Sequence, residues 1–257
     1  MELIIVVITF ILGLLIGSFL NVLTFRLMAD TSIVLGRSHC QMCGMIIRAR
    51  DLVPIFSYLW LLGKCRDCRE PISSQYPLVE LATGIVFGLV AFTHLYGGLP
   101  FETIFFVRDL VLAAGLISLF VFDYRWLVLP DQVTVPLIVF ALGINLWAGI
   151  NPVSLLVGAM VGGGLYLGLW AISRGAWVGS GDIRLGALMG FALGWPGVLF
   201  ALYVAYLLGG VIAIALLVGG HVKRGAMLPM GTFLTVGTIV VMLVQAWQPD
   251  WLQWFVV

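Results

Sequence analysis

The sequence predicts an all-α polytopic membrane protein of about eight transmembrane helices, interrupted near its N-terminus by one small polar domain. Three observations carry that expectation. Of the 257 residues, 62% are hydrophobic and only 10% charged, whereas soluble domains run near ~25% charged. Apolar runs of spanning length recur along the whole chain, separated by short polar or Gly- and Pro-containing stretches. All four cysteines fall in a single polar stretch. The net charge of +1 says nothing about nucleic acid, and with no basic run interleaved with aromatics none is expected as a partner. The partner that the composition demands is the lipid bilayer.

Taken in order, the first span covers 3–25. It is expected to stay in place as a helix and not to leave as a signal, because Glu2 stands where a basic segment would precede a cleavable one and the run continues to Phe25. A polar stretch over 26–76 follows. Further spans are expected at 77–96, 103–122, 132–149 and 153–173. A short sixth helix begins near Asp182 and ends around Gly194-Trp195-Pro196-Gly197, since Gly and Pro together break a helix. The last two spans cover 198–219 and 231–248. This gives three segments: 1–25 as the first transmembrane helix, 26–76 as a cytoplasmic four-cysteine domain, and 77–257 as a transmembrane bundle.

Orientation follows from the basic residues. With eight spans, Arg26, Arg37, Arg48, Arg50, Lys64, Arg66, Arg69, Arg125, Arg174, Arg184, Lys223 and Arg224 all fall on one side, and only Arg108 of the 13 lies nearer the other. That side is cytoplasmic and both termini are exported. Removing one span from the count would scatter the basic residues over both faces. The runs Gly162-Gly163-Gly164, Gly209-Gly210 and Gly219-Gly220 are read as places of close helix approach.

Cys40-Gln41-Met42-Cys43 and Cys65-Arg66-Asp67-Cys68 are two Cys-x-x-Cys pairs separated by a 21-residue spacer. Each pair can clamp one side of a tetrahedral ion, and four thiolates in a reducing compartment suit a closed structural zinc site. Unmetallated thiols and disulfides are the alternatives. Arg66 and Arg69 are expected to help hold thiolate charge, and Gly44 to supply a tight turn. His39 is a candidate neighbour of the metal, while His94 and His221 read as interfacial. A stretch of about 50 polar residues has little core of its own, so a metal staple has a physical purpose. Between the pairs, Asp51 to Leu62 is too short to span and rich in aromatics, and is expected to rest on the membrane surface or on other helices.

Two carboxylates stand at membrane edges. Asp182 follows the glycine turn Gly179-Ser180-Gly181, and Asp123 begins Asp123-Tyr124-Arg125-Trp126-Leu127-Val128-Leu129-Pro130-Asp131. The orientation places both on the cytoplasmic side. Charged groups at such depths are functional candidates, and two carboxylates sharing a proton form an acid–base pair. Gly179 and Gly181 remove bulk beside Asp182. Plainer roles are available too. Asp182 and Asp131 each open a helix and suit capping, and Asp123 suits pairing with Arg125 or with a cytoplasmic water. Glu80, just inside the second span, reads as a bundle hydrogen-bonding group or a contact for a substrate amine. No Ser–His pair or His-Glu-x-x-His run is present, which disfavours serine or zinc proteolysis.

With these segments assembled, the chain resembles the type IV leader peptidase family, the bacterial prepilin peptidases of the Gly-x-Gly-Asp intramembrane aspartyl type. The matching residues are Gly17-Ser18-Phe19-Leu20-Asn21-Val22 with Arg26, Arg37-Ser38-His39-Cys40-Gln41-Met42-Cys43, Asp51-Leu52-Val53-Pro54-Ile55, Gly63-Lys64-Cys65-Arg66-Asp67-Cys68, Tyr76-Pro77-Leu78-Val79-Glu80, Asp123 through Asp131, and Gly179-Ser180-Gly181-Asp182. Their order and spacing together are specific where each alone is weak. The resemblance implies a bifunctional enzyme of the bacterial inner membrane. Such an enzyme cleaves the basic leader of type IV prepilins or type II secretion pseudopilins after a glycine, at the cytoplasmic face, and then N-methylates the new terminus with S-adenosylmethionine. It implies Asp123 and Asp182 as the catalytic pair, with Asp131 as the neighbouring motif acid. Leu62, Gln75 and Trp177 depart from the family pattern, and no glycine-rich fingerprint places S-adenosylmethionine. A proton- or cation-coupled transporter using the same carboxylates is the alternative from another class, and a zinc-stabilised scaffold without chemistry a third.

Overall fold

The computed structural model describes residues 1–98, 100–220 and 228–247. His221, Lys223, Arg224 and position 248, which the sequence reading uses, lie outside the described residues. The chain divides into two compact units, Met1–Leu95 and Tyr96–Val257.

In the first unit, α1 (Glu2–Met28) leads through a 3-10 turn (Ala49–Leu52) and a short α2 (Phe56–Trp60) to α3 (Gln75–Tyr96). Helix α1 runs a turn past its expected end. The Arg26 guanidinium then holds the departing chain by donating to the carbonyls of Ser32, Ile33, Leu35 and Gly36 at 2.9–3.1 Å. Helices α1 and α3 meet through glycines. A Cβ on Gly13 would stand 2.7 Å from the Thr83 carbonyl oxygen, and one on Gly17 2.7 Å from the Glu80 Cα. Small residues four apart allow this approach where lipid supplies no hydrophobic drive. Asn21 sits buried at the same crossing and donates to the Gly17 and Tyr76 carbonyls, each at 3.2 Å.

The second unit is helical among the described residues: α4 (Thr103–Trp126), α5 (Asp131–Trp147), α6 (Pro152–Ser173), α7 (Ser180–Leu193), α8 (Gly197–Val218) and α9 (Met230–Trp247). Across both units the eight expected membrane helices are present. Six of them are long and apolar enough to cross, namely α1, α3, α4, α6, α8 and α9, while α5 is a shorter apolar helix of 17 residues. Helix α7 has 14 residues and rises about 21 Å, less than the ~30 Å of hydrocarbon.

Helix α7 packs most intimately on α6, antiparallel, along a ladder of glycines. Gly158 faces Gly190, and Gly162 faces Gly186, with backbone touching backbone at both rungs. Gly163 joins this seam, whereas Gly164 and Gly210 have nothing within 4 Å and Gly220 lies in a turn at φ +70. The glycine runs thus divide into packing, idle and turn positions. At the far end of the bundle from the two aspartates, Arg108 pairs with Asp109 at 2.7 Å and donates to Asn145 at 3.0 Å, while Asn145 donates to the Phe191 carbonyl at 2.7 Å. Arg108, the basic residue that the orientation argument set apart, is a buried internal tie between α4, α5 and α7 and not a loop charge.

Candidate active site and metal centre

Asp123 occupies the last turn of α4 and is buried. The helix stops four residues later, where Leu127 takes a left-handed conformation (φ 54, ψ 37) and returns its N–H to the Asp123 carbonyl at 2.9 Å. The carboxylate points to the start of α9. Its Oδ2 accepts from the Thr232 backbone N–H at 2.7 Å. The first N–H groups of a helix have no partner within it and form an anion site. Gly231 permits the approach, since a Cβ there would lie 2.9 Å from the Asp123 Cγ. Sequence reading placed α9 but missed the role of its first turn. Its signal was Leu228-Pro229-Met230-Gly231-Thr232, a Pro and a Gly at the start of an apolar run.

Asp182 sits in the first turn of α7, three residues after the N-cap Gly179. Its Oδ2 accepts from the Gly179 N–H at 3.1 Å, and its own N–H donates to the Gly179 carbonyl at 3.2 Å. The capping role expected of Asp182 is present, but from inside the helix. Gly181 has the tighter constraint of the two turn glycines. A Cβ there would meet the Leu129 side chain at 3.0 Å, while one on Gly179 would meet nothing closer than 3.8 Å. Leu129 belongs to the link between α4 and α5, so the two aspartate motifs are packed on each other. Asp123 and Asp182 lie within electrostatic range of one another.

Asp131 opens α5 and is held by Arg184 of α7 through contacts of 2.6 and 2.7 Å. Its charge is matched by that guanidinium, whereas among the described residues Asp123 has no cation as a polar partner. Arg125, the alternative partner for Asp123, instead lies over the Trp126 ring at 5.0 Å.

Glu80 belongs to the first unit. It is buried in α3 and accepts from the Ile55 N–H at 2.7 Å. Ile55 has φ 62, ψ −53 and is the centre of a γ-turn, with Phe56 N–H donating to the Pro54 carbonyl at 2.6 Å. That turn is rare and strained for a β-branched residue. Glu80 thus pins α2, through a strained turn, to the membrane helix α3, the bundle hydrogen-bonding role that the sequence allowed.

The four sulfurs of Cys40, Cys43, Cys65 and Cys68 lie within 4.8 Å of one another, with Cys40 and Cys68 at 3.9 Å. A tetrahedral site with Zn–S bonds of about 2.3 Å puts sulfurs ~3.8 Å apart, so the set fits zinc. The two pairs are structural equivalents. Gly44 N–H donates to the Cys40 carbonyl at 2.9 Å and Arg69 N–H to that of Cys65 at 3.0 Å. Both turn residues have positive φ, 71 at Gly44 and 62 at Arg69. The bridges His39–Ile46 and Lys64–Pro71 close each knuckle at the same spacing. Backbone N–H groups of Cys43 and Met42 bring the Cys40 thiol down to about 7. At Cys68 the Glu70 N–H favours the thiolate, but desolvation and the neighbouring thiols outweigh it and push the group up to about 12. Four cysteine sulfurs this close suit a shared metal cation, which takes its thiol ligands in deprotonated form.

Arg66 corrects one expectation. It gives its guanidinium to Asp51 through bonds of 2.9 and 2.6 Å and not to the sulfurs. That bond holds the Asp51 carboxyl below the usual carboxylate range. A hollow of about 300 Å³ lies beside this pair, lined by Arg50, Asp51, Ser57, Trp60 and Arg66. Two guanidiniums line it and its one carboxylate is already engaged, so it does not suit a cationic sulfonium donor.

Two family models match the chain: the Bacterial Peptidase A24 N-terminal domain over residues 11–94 and the Type IV leader peptidase family over residues 110–214. The first contains all four cysteines, the second both Asp123 and Asp182. Among similar proteins is a prepilin leader peptidase/N-methyltransferase of Neisseria gonorrhoeae, 35% identical over 258 residues, covering 88% of this chain and 86% of the relative. One of Aeromonas salmonicida is 31% identical over 279 residues, covering 96% and 92%. One of Pseudomonas aeruginosa is 31% identical over 272 residues, covering 91% and 89%. No solved structure matches.

Proposed function

The chain belongs to the type IV leader peptidase family, and from that premise we propose that it is a bifunctional enzyme of the bacterial inner membrane. It removes the basic leader of type IV prepilins or type II secretion pseudopilins after a glycine, at the cytoplasmic face, with Asp123 and Asp182 as catalytic pair. It then N-methylates the exposed amine with S-adenosylmethionine.

The observation that carries the protease reading is the pairing of two carboxylates from separate helices, each held by a backbone N–H and within electrostatic range of the other. In such a pair one carboxylate is ionised and the other protonated. The ionised one takes a proton from water as the water oxygen bonds to the scissile carbonyl carbon, and the other gives its proton to the carbonyl oxygen. Collapse of the tetrahedral diol breaks the C–N bond, and the departing amine takes a proton from the pair. The substrate's apolar stem lies among the helices while its basic leader stays in the cytoplasm, so no charge crosses the bilayer.

Cys40, Cys43, Cys65 and Cys68 would hold zinc as a closed staple for segment 26–76. A four-thiolate set leaves no open position for substrate, so its contribution is to folding. S-adenosylmethionine supplies a methyl group when bound. The relatives' names support that activity, and the hollow beside Asp51 is not assigned to it.

The test is substitution of each aspartate. Asp123→Asn and Asp182→Asn are each expected to insert normally, retain zinc and leave a co-expressed prepilin at full length on a denaturing gel. Normal processing by either variant removes the protease assignment.

A further inference from the structure

Tyr166 of α6 is fully buried, and its hydroxyl has no hydrogen-bond partner. A buried hydroxyl left unpaired costs stability, so its presence at this position calls for a use.

The glycine ladder says where this hydroxyl stands. Helices α6 and α7 run antiparallel, with Gly158 on Gly190 and Gly162 on Gly186. Each rung moves four residues forward on one helix and four back on the other, as stacked positions on helices do. The next rung therefore sets Tyr166 opposite Asp182. The side chains agree with the register. A Cβ on Gly186 would lie 2.9 Å from the Tyr166 ring, and Asp182 lies within electrostatic range of the hydroxyl. Tyr206 of α8 interacts with the same hydroxyl more strongly than Asp182 does, yet the pair falls short of hydrogen-bond geometry and leaves the hydroxyl free to donate. Gly162 and Gly186 bring the backbones together one rung away, and the Tyr166 ring lies over Gly186 in that seam. The Asp182 Oδ2 is occupied by the Gly179 N–H. A donor approaching from α6 would fix the carboxylate plane from a second direction.

We propose that Tyr166 is a positioning residue of the dyad, its hydroxyl donating a hydrogen bond to the Asp182 carboxylate when the enzyme engages a substrate. The proposal rests on the protease reading above. Tyr166 makes no contact with the scissile bond in this scheme and acts through Asp182.

The experiment is Tyr166→Phe in the full-length protein, purified in detergent and assayed on a prepilin, with Asp182→Asn as reference. The ring and its packing on Gly186 are kept and only the hydroxyl is lost. The expected result is a kcat lower by about 10- to 100-fold, the range for losing a hydrogen bond to a charged group, with KM within about twofold and an unfolding midpoint unchanged or raised. A purely structural role would move these readouts differently, because removing an unpaired buried hydroxyl would leave turnover intact. Wild-type kcat in Tyr166→Phe overturns the proposal, as does a lost kcat accompanied by a lowered midpoint. If Asp182→Asn is inactive while Tyr166→Phe is normal, only this inference fails. If Asp182→Asn processes normally, the protease reading fails with it.

Discussion

A methyl group at position 231 would sit 2.9 Å from both the Cγ and the Oδ2 of Asp123. Gly231→Ala should therefore displace that carboxylate or the start of α9. Prepilin processing is expected to fall by on the order of 100-fold, the size of effect that small misplacements produce in a catalytic group. Initial cleavage rates of the purified variant check this. The position was illegible in the sequence for a physical reason. Thr232 meets Asp123 across 109 residues of chain, and no local pattern announces such a pairing. Arg66 teaches the same lesson. Its neighbours in sequence are cysteines, but its partner is Asp51, 15 residues back, reached because the loop folds over. Asp123 and Asp182 themselves were visible as expensive charges at membrane edges, and it was the order and spacing of the surrounding motifs that singled them out as a candidate pair.

The α6–α7 seam admits a sharper comparison. Gly164 and Gly186 are both helical glycines, yet a Cβ on the first has nothing within 4 Å and one on the second meets the Gly162 backbone carbon at 2.7 Å. Gly186→Ala should destabilise the bundle by roughly 1–3 kcal/mol, as overpacking does, and Gly164→Ala should be neutral or slightly stabilising, since Ala is the better helix former. Unfolding of both variants in detergent and denaturant measures the difference. The helices themselves were largely legible, because apolar runs bounded by Gly and Pro are strong signals in lipid. The short α7 could be read from Gly194-Trp195-Pro196-Gly197. Its partner face could not, because a run such as Gly162-Gly163-Gly164 shows that close packing is possible without showing which glycine performs it.

The two family matches and the two compact units divide the chain at the same place, with residues 11–94 falling inside Met1–Leu95 and 110–214 inside Tyr96–Val257. Each unit carries its own chemistry: four cysteines in the first, two paired carboxylates in the second. Replacing Cys40 and Cys65 together by Ser removes one sulfur from each knuckle. Bound zinc should fall from about one ion per chain to none, because a structural site needs its four ligands. The loop over 26–76 should become open to proteolysis. Metal analysis and limited digestion report the two effects separately. Purified wild-type protein without stoichiometric metal would sink the zinc assignment.

The bond between Asp123 and the start of α9 also bears on how the protein is made. The carboxylate leaves the ribosome long before the N–H that it accepts, and α5 to α8 are synthesised in between. A nascent chain short of residue 232 holds both aspartates but lacks the partner that orients the first. The constellation closes only when the last described helix joins the bundle. During most of its own insertion into the membrane, the chain carries Asp123 without the bond that seats it.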